Sequence, residues 1–208
     1  MNPIQEVIIE KSTQINPIWL MRQAGRYLPE FREIRKENQN FIKLCLNEKL
    51  VPEITLQPLN RFNLDAAIIF SDILMLPYGI GQEVKFQKNF GPKLGDYNET
   101  NVDNVNDKDF TERLLPVYNS INKVANDLKT KNKDVIGFVG APWTLLVYML
   151  NRHSPKKDLD VSLNNIENNK KIIKIIIKFL KIHIKNQIES GAQIIQIFDS
   201  WAGLAKKE

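Results

Sequence analysis

Arg22 and Arg26 stand four residues apart in Met21-Arg22-Gln23-Ala24-Gly25-Arg26-Tyr27-Leu28-Pro29, at the end of the short apolar run 18–21. Two guanidinium forks so placed can clamp carboxylates in bidentate geometry, and Gly25 would permit a tight backbone path between them. A basic turn with surface ion pairs is the competing reading. Ser71-Asp72 follows Ala66-Ala67-Ile68-Ile69-Phe70. A carboxylate at the C-terminal end of a buried strand can accept hydrogen bonds from ligand N–H groups or stabilise a cationic intermediate, while the same two residue types also suit a helix N-cap. The stretch 137–148 reads GFVGAPWTLLVY; its glycines allow close backbone approach, and Trp143 and Tyr148 offer an aromatic surface and a hydroxyl. The last group is Asp199-Ser200-Trp201-Ala202-Gly203.

Several chemistries are excluded. There is no G-x-G-x-x-G, and Pro142 interrupts the helix start that a dinucleotide site would need. Ser200 is not in a nucleophile elbow, because G-x-S-x-G is absent. His153 and His183 are the only histidines and lack paired acidic spacing, so a metal site is not expected. His183, between Ile182 and Ile184 in an apolar helix, reads as structural. Cys45 is the single cysteine, which forbids an internal disulfide and suits a cytoplasmic protein.

The elements that must position these groups are legible from hydrophobic patterning. Runs 18–21, 66–70, 135–139 and 194–198 are short and apolar and read as strands; the last three, β-branched or aromatic-rich without strict alternation, read as strands buried on both faces. Each ends in polar or small residues, the edge at which parallel sheets bind ligands. Helical patterning covers 31–50 with a break before Pro52, then 52–62, 114–128 and 145–150, the last opened by the Pro142-Trp143-Thr144 turn. The longest helix is expected over 165–190. There Lys171, Lys174, Lys178, Lys181 and Lys185 form one basic stripe on an apolar cylinder, facing water while the rest packs on a sheet, with Gly191 as the stop. Glycine-rich 79–97 reads as a hairpin insertion, and 97–110 and 151–165 as polar loops. Alternating strands and helices define an α/β parallel architecture.

The chain of 208 residues has 29 Lys and Arg against 24 Asp and Glu, a net charge of +5. Lysines and acids are interspersed, and no zinc-finger, KH or RRM pattern is present, so no nucleic-acid partner is expected. Clusters such as Lys156-Lys157 read as solvated surface. Neither a signal-peptide pattern nor a run of roughly 18 apolar residues appears, so no membrane association is expected.

Four blocks, in order, resemble the uroporphyrinogen decarboxylase family: 17–29, 65–74, 137–149 and 197–203. The resemblance implies a single-domain (β/α)8 barrel, of which residues 1–208 would be about the first half. It implies a cytoplasmic homodimer that removes the carboxyl groups of the four acetate arms of uroporphyrinogen, giving coproporphyrinogen in haem synthesis, without metal or organic cofactor. Carried onto this sequence, Arg22 and Arg26 would hold substrate carboxylates. Asp72 would accept hydrogen bonds from pyrrole N–H groups, and Tyr148 and Ser200 would bind or position the reacting acetate. Gln23, Ala24 and Gly25 would line the same site. Family members are considerably longer, and the blocks end near residue 203. An inactive fragment, or a non-catalytic tetrapyrrole- or anion-binding protein, is therefore the alternative. Half a barrel would also leave strand edges open and favour association.

Overall fold

A computed structural model describes residues 2–12, 14–87, 90–97, 104–155 and 166–205. Lys156-Lys157, the middle of each expected polar loop (98–103 and 156–165) and the end of the tail lie outside the described residues. The chain divides into two compact units. The first comprises Met1–Ser71, Leu115–Phe138 and Ile184–Gln196, and the second Asp72–Leu114, Val139–His183 and Ile197–Glu208.

In the first unit, β1 (Ala66–Ile68) lies parallel to β4 (Asp134–Gly140), with Ala66 opposite Asp134 and Ile68 opposite Ile136. The sheet continues to β5 (Ile194–Phe198) in the order β1-β4-β5. All three residues of β1 are buried, which is why the run shows no polar alternation. Three of the four expected strands are therefore present. The fourth, 18–21, is extended but joins no sheet: Ile18 N–H donates to Asp65 Oδ2 at 2.6 Å and accepts, through its carbonyl, from Asp65 N–H at 2.9 Å. Ile18, Leu20 and Met21 are each more than half exposed, so no second layer encloses this run as one encloses β1.

Helices α1 (Pro3–Glu10), α2 (Pro29–Glu37), α3 (Phe41–Cys45) and α4 (Leu50–Arg61) surround this sheet segment. The single helix expected over 31–50 is split because two asparagines intervene. Asn38 donates its side-chain amide to Ile34 O and closes α2, while Asn40 Oδ1 accepts from Lys43 N–H and opens α3. Leu28, Phe31, Leu44 and Ile54 form the core between these helices. Thr55 Oγ1 donates to Val51 O and accepts from Phe70 N–H, tying α4 to the strand exit. The Phe70 ring meets Phe31 and Phe41 edge-on, at 5.5 and 5.8 Å.

In the second unit, α5 (Met75–Gly79) leads into the hairpin β2 (Val84–Gln87) and β3 (Gly91–Leu94), antiparallel with Val84 opposite Leu94. The hairpin lies within the glycine-rich insertion. Helix α6 (Asp107–Leu128), whose residues from Leu115 on belong to the first unit, begins seven residues before the apolar periodicity, inside what reads as a polar loop, because Asn106 Oδ1 accepts from Asp109 N–H at 2.8 Å. Helix α7 (Pro142–Asn151) starts three residues before the expected 145, because Pro142 takes the first helical position, where its missing N–H costs nothing, and the expected turn is the helix's first turn. Helix α8 (Ile166–Glu189) exposes all five stripe lysines and ends before Gly191, whose φ of +109° only glycine adopts readily. His183 is buried on α8, its ring edge-on to Phe110 at 6.3 Å.

Candidate active site

The arginine loop belongs to the first unit. Gln23 anchors it and is fully buried. Its Nε2 donates to Ala66 O of β1 at 2.9 Å, and its Oε1 accepts from Leu20 N–H at 3.1 Å. Gln23 N–H donates to Leu20 O, and Tyr27 Oη–H donates to Gln23 O. Arg32 donates to the carbonyls of Arg26 and Tyr27. Buried Leu28 then pins the loop into the core that starts α2. Arg22 and Arg26 project from this braced turn, both exposed, and neither guanidinium has an ion-pair or hydrogen-bond partner among the described residues. The surface-ion-pair alternative therefore finds no acid to support it there.

Two readings of this loop change. Gln23 does not present its side chain to a ligand; both ends of its amide are spent on the backbone. Gly25 is not required by a left-handed turn, and a Cβ there would meet its nearest neighbour, the Tyr27 ring, at 3.7 Å, an ordinary contact. Ala24 is half-buried against the Leu28 core.

Asp72 opens the second unit, directly after the turn that leaves β1. Its Oδ1 accepts from Leu74 N–H at 2.8 Å and its carbonyl from Met75 N–H at 3.1 Å, so it shapes the turn into α5. The N-cap of α5 is Leu74, so Asp72 does not cap the helix but closes the turn before it; one carboxylate oxygen serves that turn. Burial pushes its carboxyl up to about 6, and the Leu74 N–H bond offsets part of that rise.

Tyr148 is half-buried on α7. Its hydroxyl accepts from Ser154 Oγ at 3.5 Å, and its ring meets Trp201 edge-on at 6.0 Å. Ser200 is exposed, and its side chain has no partner among the described residues. Its neighbours are held firmly. Thr144 Oγ1 donates to Asp199 Oδ1 at 2.6 Å and accepts from Trp201 N–H at 3.1 Å, while Trp143 Nε1 donates to Trp201 O at 2.9 Å. Trp201 Nε1 is buried without a partner among the described residues. A lone threonine on an apolar helix gives no sign in the sequence that its hydroxyl will hold Asp199 and Trp201 together.

Gly137 has a different role from ligand approach. A Cβ there would come within 2.5 Å of Gln187 Oε1 and 2.9 Å of Ile195 Cδ1. The Gln187 amide pairs with the Phe138 backbone, accepting from N–H at 3.0 Å and donating to O at 3.1 Å. The close approach is that of α8 to β4. His153 is exposed, its Nδ1 at 3.0 Å from Ser154 O.

These parallel strands, with helices between them and the candidate groups after their C-terminal ends, belong to the (β/α)8 barrel class as part of such a barrel. A methyltransferase from Methanosarcina mazei has a similar fold, with a TM-score of 0.73 at 15% identity, over 96% of this chain and 58% of that one. The family model described as "Uroporphyrinogen decarboxylase (URO-D)" matches residues 1–208. A uroporphyrinogen decarboxylase of Rickettsia bellii is 47% identical over 201 residues, covering 92% of this chain and 57% of the relative. One from Campylobacter jejuni is 40% identical over 202 residues, covering 95% and 59%. The chain belongs to the uroporphyrinogen decarboxylase family, and it spans a little over half the length of these relatives.

Proposed function

We propose that this chain serves the stepwise decarboxylation of the four acetate side chains of uroporphyrinogen, giving coproporphyrinogen in haem and tetrapyrrole synthesis. Within the family match, the observation that carries this reading is the arginine loop: a braced turn that displays two guanidinium groups with no acid among the described residues to neutralise them. A substrate bearing many carboxylates suits that display. Bidentate pairing would fix which arm reacts.

Removing carbon dioxide from a pyrrole-bound acetate leaves an electron pair that needs a sink. Protonating a ring carbon makes the pyrrole that sink. As the acetate C–C bond breaks, its electrons neutralise the cation; a second proton then completes the methyl group, and loss of the first proton from the ring carbon restores the neutral pyrrole, so one proton is consumed for each carbon dioxide released. Asp72 is suited to this sequence. Its carboxylate can accept pyrrole N–H bonds and stabilise the cation electrostatically, where partial burial strengthens the attraction. A group titrating near 6 can also exchange a proton at neutral pH, which arginine with its high pKa does poorly. Tyr148 and Ser200 supply hydroxyls that bind or position the reacting arm. The expected setting is a cytoplasmic homodimer; among the described residues no helix is long and apolar enough to cross a membrane.

Anaerobic incubation of the natural polypeptide with uroporphyrinogen, with products separated by carboxyl number, tests the proposal. Successive loss of carboxyl groups is expected. Tetrapyrrole binding with no such loss would replace it with the non-catalytic reading.

A further inference from the structure

Residues 198–201 are tied to the start of α7 by a set of bonds that leaves out Ser200. Ala141 N–H donates to Phe198 O at 2.8 Å, Thr144 Oγ1 bonds Asp199 and Trp201, and Trp143 Nε1 donates to Trp201 O. Thr144 is fully buried. A hydroxyl has one proton to give; here it goes to Asp199 while a lone pair takes the Trp201 N–H. The two bonds straddle Ser200, one on each flanking residue. Tyr148 lies four positions after Thr144, on the same face of α7, and stacks edge-on against the Trp201 ring.

We propose that Thr144 is a positioning residue that sets where the Ser200 hydroxyl stands relative to Tyr148. This rests on the reading of Tyr148 and Ser200 as the groups that hold the reacting acetate. Thr144 itself touches no substrate in this account; it acts through Asp199 and Trp201. Both hydroxyls depend on it, Ser200 through the two flanking bonds and Tyr148 through the Trp201 ring.

Three single variants and the double variant Thr144→Val with Asp199→Ala test this. Thr144→Val keeps the shape and removes both bonds, Thr144→Ser keeps both, and Asp199→Ala removes the acceptor from the exposed end. Kinetics with uroporphyrinogen and the near-ultraviolet circular dichroism of the Tyr148–Trp201 pair are read together. Thr144→Val and Asp199→Ala should each lower kcat about 10- to 100-fold with KM changed by less than about threefold, because geometry is lost and carboxylate anchoring is not. Their aromatic dichroism should change. Thr144→Ser should keep both properties, and the double variant should be little worse than either single one. Wild-type kcat and dichroism in Thr144→Val would overturn the proposal. Should Thr144→Val fail to fold, Asp199→Ala with Thr144→Ser decides by the same readings. If the unmodified protein shows no turnover, the functional reading fails. The dichroism then decides the Thr144 clamp separately, and an unchanged spectrum in the folded variants overturns it.

Discussion

Burial raises the Asp72 carboxyl to about 6 and lowers the His183 imidazole to about 4, and the two shifts bend stability in opposite directions with pH. Between pH 4 and 6 the folded state holds a proton on Asp72 that the unfolded chain has released, so stability falls as pH rises through this window. His183 is neutral when folded and takes up a proton on unfolding below its ordinary value of 6.5, so its contribution is lost as pH falls toward 4. Asp72→Asn removes the first slope. Its melting temperature should exceed that of the unmodified protein at pH 7, by the equivalent of about 1–3 kcal/mol, and the excess should shrink toward pH 4. The acid loss due to His183 should then be steeper in the variant than in the unmodified protein. Thermal denaturation from pH 4 to 7 measures both effects. Gln23→Leu tests the brace beneath the arginines: it leaves Leu20 N–H and Ala66 O without their partners, and should cost about 1–3 kcal/mol in denaturant unfolding. The arginines, Asp72, Tyr148 and Ser200 were legible as candidates because charge, hydroxyls and strand ends mark them. The buried service of Gln23 and Thr144 was not, since nothing in a lone polar residue reveals which backbone group it will meet.

At the scale of elements, the sheet order depends on how closely α8 approaches β4. Gly137→Ala places a methyl group against Gln187 Oε1 and Ile195 Cδ1, and one of the Phe138 bonds must lengthen. The expected loss is about 1–3 kcal/mol, read as a lower melting temperature; an unchanged one would show that Gln187 yields without cost. Strands β1 and β4, buried as expected, were readable from apolar runs, and the long helix from its lysine stripe; β5 was readable as a strand but is partly exposed along its length, against the expectation of burial on both faces. Boundaries set by single side chains were harder to read. Asn38 and Asn40 cut one helix into two, Asn106 started α6 early, and the run 18–21 had strand-like composition with no neighbour to pair. At the asparagines a side-chain hydrogen bond decided what periodicity left open; at 18–21 the missing second layer did.

For the molecule as a whole, β5 is an edge of the sheet among the described residues, and Ile197 on it is 54% exposed. An open edge with an exposed branched apolar residue favours strand-to-strand association. The 208-residue polypeptide expressed by itself should therefore self-associate, and Ile197→Lys should raise the monomeric fraction in sizing experiments. A monodisperse unmodified monomer would contradict this. The parallel α/β class followed from strand–helix alternation, while the reaction followed only from the family resemblance and the placement of its residues. The most direct measurement of the central claim is the number of carboxyl groups lost from uroporphyrinogen, under anaerobic conditions, by the natural polypeptide and by its Asp72→Ala variant. The account predicts stepwise loss toward the four-carboxyl product in the first and its suppression in a folded second. Equal product from both, or no carboxyl loss from the unmodified protein, would contradict it.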